Sequence, residues 1–266
     1  MKHQIQLFSV VMLAMLFAPG AQAVQCDRTI TANIVVLDNP TVFNRLGAQN
    51  PNWITYALER DVVVANRLNP NDPANGTPCS EIQCTAGNVE LRPDKRPRPL
   101  VVRSAAGDCL TVNFTNLLAP NANPNNFIDN PLSVTDNVLI NNDQVFDRCA
   151  SFHAQGVELV GGMDSDGSFV GNNNPGVDVA QCGPNDVKGG LVGPGANTTY
   201  TLYTPHEGTF TVNSYGATIG SEANGGTLGV GMFAQLNVQP KDAKMYRSQV
   251  TEEELRLATT GIVPSD

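Results

Sequence analysis

Residues 148–156 read RCASFHAQG, and the fold follows from how that run is taken. It is a short, apolar, strand-like stretch that delivers His153, one of only three histidines in the chain. Read as the start of a strand over Cys149–Val160, it makes the second half of the chain a β series. A second run, Gly208–Ala217 (GTFTVNSYGA), has the same character, with β-branched and aromatic residues between glycine corners.

Outward from these two runs, strands and turns continue in both directions. Ile30–Leu37 (ITANIVVL) is rich in β-branched residues and ends at the turn signal Asp38-Asn39-Pro40. Trp53–Ala65 reads as one strand broken near Glu59-Arg60-Asp61, and residues 69–88 as a surface insertion stapled by cysteines. Val89–Leu91, Leu100–Arg103 and Leu110–Leu117 follow, the last with Leu110, Val112 and Phe114 alternating as in a half-buried strand. Thr198–Thr204, Gly208–Ser214 and Thr227–Val238 complete the set. Helical signal is confined to the end, where Thr251 and Glu254 form a capping box and predict a short helix over about 251–258. Many strands with few helices predict an all-β Greek-key sandwich. Its expected core is Ile34, Val36, Val101, Leu110, Val112, Phe152, Leu202, Phe210, Val212, Val230, Phe233 and Leu236.

The first 23 residues read as a secretory leader: Lys2 and His3, an apolar core over Leu7–Phe17, and the small-x-small site Ala21-Gln22-Ala23. That core is shorter than the roughly 18 residues a membrane span needs. The expected organisation is therefore a leader over 1–23, one β domain with an elaborated N-terminal part over 24–240, and a helix and tail over 241–266. Secretion to the periplasm or medium follows, with no membrane attachment after cleavage. All six cysteines lie beyond the leader, an even count that reads as up to three disulfides with the pairing open. Of the possible pairs, Cys79 and Cys84 are close enough to pin a loop. Beyond the leader, 15 basic residues face 25 acidic ones. An acidic surface argues against nucleic acid as a partner, since phosphate binding draws on basic patches.

Hydrolytic chemistry has little to draw on. No Gly-x-Ser-x-Gly elbow is present, and only His153 and His206 remain as bases. Asp164-Ser165-Asp166-Gly167 begins like a calcium loop but lacks the closing glutamate, and a tight Asx turn accounts for it equally. Imidazoles on strands suit copper, which makes His153 the candidate metal ligand. Met163 and Met232, whose thioethers would suit copper(I), read as core residues. His206 reads as an exposed corner.

Several long runs carry a resemblance: ITANIVVLDNP (30–40), LRPDKRPRPLVVR (91–103), GDCLTVNFTNLL (107–118), SFHAQG (151–156), DSDGSFVG (164–171), the stretch 207–240, and YRSQVTEEELRLAT (246–259). From Ile30 to about Ala258 the chain resembles the first, N-terminal cupredoxin domain of large bacterial multicopper oxidases. The resemblance implies a cupredoxin-like β-sandwich. In such oxidases this domain gives two His-x-His pairs to the trinuclear copper centre that reduces dioxygen. Laid onto HAQG, His153 keeps the first ligand position and Gln155 stands at the second. The other pair falls on NSY, so Asn213 and Tyr215 occupy both of its positions. The blue-copper His-Cys-His signature of a later domain is absent from the chain. The expectation is an exported module with copper weakly held or absent and no catalytic or other cofactor residues. It serves as a structural or interaction unit, or as the N-terminal part of a longer or split oxidase. Its partners would be further oxidase domains or copies of itself. The rival expectation is a dioxygen-reducing copper oxidase completed by partner chains or copies.

Overall fold

A computed structural model describes residues 24–42, 44–50, 53–66, 68–120, 148–168, 185–216 and 226–243. The leader, the capping-box helix and Cys182 lie outside these residues. In chain order the strands are β1 (Thr29–Asp38), β2 (Thr41–Val42), β3 (Gln49–Asn50), β4 (Ile54–Leu58), β5 (Val62–Val64) and β6 (Val89–Leu91). Next come β7 (Leu100–Ala105), β8 (Cys109–Asn116), β9 (His153–Ala154), β10 (Glu158–Leu159), β11 (Val187–Lys188) and β12 (Leu191–Val192). The last are β13 (Asn197–Tyr203), β14 (Gly208–Asn213) and β15 (Phe233–Gln239).

Two sheets face one another. One runs β10-β13-β8-β1-β4 and the other β7-β15-β14-β9. Each holds a single parallel pair, β1 with β8 and β15 with β7, among antiparallel neighbours. This is the all-β arrangement of two facing sheets that the sequence predicts. Between the sheets lie Ile34, Val36, Leu110, Val112, Phe114, Phe152, Leu202, Val212 and Leu236, all fully buried. The rings of Tyr56, Phe114, Phe152 and Tyr200 form the middle of this core, with neighbouring centroids 5.9–6.2 Å apart.

The run Ile34–Leu37 is apolar without alternation because both of its faces are covered. Ile34 and Val36 point between the sheets, while Val35 and Leu37 join Ala57, Val62, Cys79, Val89 and Leu117 in a second cluster. That cluster sits under the insertion after β5, which the Cys79–Cys84 disulfide staples as expected. Cys26 is bonded to Cys109, and Cys149 is disulfide-bonded as well. The break in Trp53–Ala65 falls where predicted, as a single 3₁₀ turn over Glu59–Asp61.

Four expectations need correction. The strand expected over Cys149–Val160 is divided: Ala150 bridges Val192, β9 joins β14, and β10 joins β13 in the opposite sheet. The chain changes sheets here, turning at Gly156 with φ +70°. The strand expected from Thr227 begins only at Phe233, because Gly226–Gly229 forms one helical turn and Gly231 takes φ +108°. Val101 is 43% exposed, since Val102 and Ser104 take the inward positions of β7. Phe210, Val230 and Phe233 are partly buried rather than central.

Candidate functional site

The site strand β9 has only two residues, so side chains do much of the work of placing it. Tyr56 donates its hydroxyl proton to the Ser151 carbonyl at 2.5 Å. Ser214 Oγ accepts from the backbone N–H of Ser151 (3.1 Å) and of Gly216 (3.1 Å), and Ser151 Oγ accepts from the N–H of Tyr215 (3.0 Å). Both serines are fully buried. These bonds continue the pairing of the two segments beyond the last ladder position, at a point where a strand would otherwise leave polar groups unpaired. Tyr200 donates to the Gly190 carbonyl at 2.7 Å and receives the Phe152 N–H.

Burial pushes both phenols up, Tyr56 well above the ordinary tyrosine value, with Tyr200 close by adding to the effect and the Ser214 hydroxyl opposing it. Desolvation likewise raises Tyr200, against the Phe152 N–H that lowers it. A neutral acid whose folded pKa is raised keeps its full contribution below the unfolded value of about 10 and loses it as pH climbs beyond that. Alkaline titration followed at 295 nm is therefore expected to show Tyr56 and Tyr200 ionising only with loss of the fold. Ionisation of either of these two phenols in the folded protein would contradict this.

On this scaffold the ladder pairs His153 with Asn213 and Ala154 with Val212. Ala154 and Val212 face the core, so His153 and Asn213 share the outer face. Alternation puts Gln155 on that face too, where its N–H donates to the Thr211 carbonyl at 3.0 Å. Tyr215 lies beyond the end of β14 with its ring edge-to-face against the imidazole, centroids 4.4 Å apart at 82°. The positions singled out from HAQG and NSY thus converge on one end of one sheet.

The imidazole is oriented from behind. Gly162 through Gly167 form a 3₁₀ turn (Met163–Asp166) in which Gly167 has φ +72°, and a Cβ there would meet the Phe152 carbonyl at 2.8 Å. This close approach lays the turn against β9. The Asp166 carbonyl lies 2.6 Å from His153 Nδ1, and the Asp166 carboxylate 3.4 Å from it. A carbonyl oxygen only accepts, so Nδ1 carries a proton and Nε2 is the nitrogen left for another partner. Asp166 is otherwise held by the Ser168 hydroxyl, and the Asp164 carbonyl accepts from Gly167 N–H. The DSDG run therefore serves as a turn that orients His153.

Asn213 is 6% exposed although it faces outward. In the next strand its ladder partner is Phe233, and Trp53 packs edge-to-face on Phe233 with centroids 6.1 Å apart. His206 is an exposed corner ahead of β14, whereas His153 lies beside the far end of that strand. Five strand steps alone separate the two by roughly 17 Å. Met232 is fully buried as expected, but Met163 is 57% exposed at the head of the turn.

Among the described residues no group of three or more His, Cys, Asp or Glu side chains is placed to hold a metal ion. One imidazole beside a carboxamide and a phenol does not fit the needs of a copper cluster, which takes imidazole nitrogens and thiolate or thioether sulfurs. No helix among the described residues is long and apolar enough to cross a membrane. Trp53, Phe233, Asp166 and the two buried tyrosines were not legible as parts of this site. Of these, only the isolated tryptophan beside a strand offered any signal.

The chain matches no protein-family model and no curated protein. Among solved structures it is similar to a multi-copper oxidase from Pseudomonas thermotolerans, at 16% identity and a TM-score of 0.38, over 82% of this chain and 31% of that one. It is similar also to a copper nitrite reductase from Nitrosomonas europaea (15% identity, TM-score 0.37, 81% and 43% covered). A blue copper oxidase from the same organism gives 15% identity and a TM-score of 0.37, with 85% and 43% covered. The chain spans less than half the length of each.

Proposed function

We propose that this chain is an exported cupredoxin-like module whose copper-ligand positions have been taken over by amide and phenol. It acts in structure or interaction, as the N-terminal part of a longer or split oxidase, rather than as a copper enzyme by itself. The observation that carries this reading is the row His153–Asn213 with Tyr215 on the imidazole edge. Positions that the sequence resemblance equates with four imidazoles gather on one face and bring a single imidazole between them. Disulfides at Cys26–Cys109 and Cys79–Cys84 support an oxidising compartment. Partners would be further oxidase domains or copies of this chain, and copper would be held weakly at His153 if at all. Purified protein loaded with copper(II) and dialysed is expected to retain well under one copper per chain and to leave a phenolic dye unoxidised. Stoichiometric, tightly held copper with turnover by this chain alone would overturn the proposal.

A second reading draws on the Asp166 contact. An imidazole whose Nδ1–H is fixed by a carbonyl, leaving Nε2 for another partner, is held as metal-ligating histidines are. An assembled oxidase, with the missing imidazoles supplied by another chain, would use that orientation. It predicts copper uptake only when such a chain is added, and loss of that uptake in His153→Ala.

A further inference from the structure

We infer that the cavity at the end of β1, remote in sequence from His153, receives an acidic peptide segment of a partner protein. The inference deepens the interaction-module reading by giving the partner a chemistry. The cavity has a volume of about 310 Å³. It is bounded by Pro40 after β1, by Glu90 and Leu91 of β6, and by the loop that follows, from Arg92 to Pro97.

That loop departs from the charge of the rest of the chain. Residues 92–98, RPDKRPR, hold four basic side chains and one acidic one, in a chain whose net charge is −9. Two of the four are committed within the fold: Arg92 meets Asp94 at 3.0 Å, and Lys95 meets Asp61 at 3.2 Å. Arg92 N–H donates to the Asp61 carbonyl and Lys95 N–H to the Arg92 carbonyl, so the loop is anchored at its root. Arg96 and Arg98 are exposed and make no hydrogen bond or ion pair among the described residues. They flank Pro97, part of the cavity wall. Each also precedes a proline, which disfavours helical backbone and limits the freedom lost on binding.

The walls define the ligand. Two unopposed guanidiniums call for carboxylates, which they bind through paired hydrogen bonds. Phosphate would serve them equally, but the Glu90 carboxylate in the same wall only accepts hydrogen bonds and repels a bare anion. A peptide answers both, with backbone N–H groups for Glu90 and acidic side chains for the arginines. Leu91 and the prolines leave apolar wall for the side chains between those acids. The negative charge of the whole chain works against a long polyanion, whereas a short acidic segment seated on the loop meets mainly the local positive field.

The full chain is titrated at about 0.15 M salt with a short peptide of alternating leucine and glutamate carrying an uncharged dye, followed by fluorescence anisotropy. Peptides with glutamine or lysine in place of glutamate are the controls. Saturable binding is expected for the glutamate peptide alone. It should be about tenfold weaker in the double variant Arg96→Ala with Arg98→Ala, where two exposed charge pairs are lost. Both positions are exposed, so the variant should keep the thermal melt of the parent. Absence of saturable binding by the glutamate peptide would overturn the inference. So would an unchanged affinity in the double variant, equal binding of the glutamine peptide, or full displacement by inorganic polyphosphate at matched charge. Retained copper in the metal assay above would defeat the module reading, whereas a silent peptide titration would defeat only this one.

Discussion

Arg148→Met is expected to cost about 3–5 kcal/mol of stability. Arg148 and Asp38 are only 8% and 9% exposed and meet through both carboxylate oxygens, at 2.5 and 2.6 Å. Both partners also bond to the backbone. Arg148 Nε donates to the Ala119 carbonyl at 2.9 Å, and the Ala119 N–H donates to Asp38 at 2.8 Å. Asn116 extends the network by donating to the carbonyls of Arg148 (2.7 Å) and Val192 (2.8 Å). Methionine fills much of the same volume but leaves a carboxylate in the interior without its counter-charge, and that desolvation sets the size of the effect. Replacing both partners, Arg148→Met with Asp38→Leu, removes the orphaned charge and should recover most of the loss. Urea unfolding of the single and double variants measures this coupling. If the single variant lost under about 1 kcal/mol, the pair would resemble a solvent-exposed bridge and the account would fail.

The network bears on the site because Arg148 opens the segment that carries His153. Asp38 closes β1 and Asn116 closes β8, so Arg148 ties the start of that segment to the ends of two strands of the opposite sheet. Tyr56 then holds Ser151, and Tyr200 holds Phe152, from the core side. A strand with two ladder residues is thus fixed through a guanidinium and two phenols. The fold positions the imidazole without the long β-ladder that the sequence led one to expect.

What the sequence disclosed and what it concealed divide along this line. ITANIVVLD and GDCLTVNFTN declare themselves because β-branched content and alternation are local properties. The run Cys149–Val160 misled because each of its pieces finds a different partner, and pairing is a property of distant chain. Val101 misled because adjacent valines give no phase: either could have been the inward one. His153, Asn213 and Tyr215 were readable through the motifs around them. Phe233 and Trp53 were not, since only strand register brings them to the row. The Arg148–Asp38 pair, 110 residues apart, lay beyond any local pattern. The same holds for the orienting role of Asp166, which rests on a backbone carbonyl that no residue type announces.

Removing the Cys26–Cys109 disulfide is the second change expected to be large, about 4–5 kcal/mol from chain entropy for a loop of 83 residues. Cys79–Cys84, separated by five residues, should be worth only about 2 kcal/mol by the same relation. Native contacts near the first bridge survive its removal. Asp27 N–H still donates to the Gly107 carbonyl, Cys109 N–H to the Arg28 carbonyl, and Arg28 still pairs with the buried Asp108. The loss therefore falls on the unfolded chain, which regains the freedom of a long closed loop. Alanine is the right replacement at position 109, which is 1% exposed, because a serine hydroxyl there would need a partner. Thermal melts of the 26/109 and 79/84 double alanine variants should differ, the first falling by roughly 10 °C or more. Equal losses in the two would mean that loop length does not govern these crosslinks and that the N-terminal strand is held by its ladder and ion pair alone.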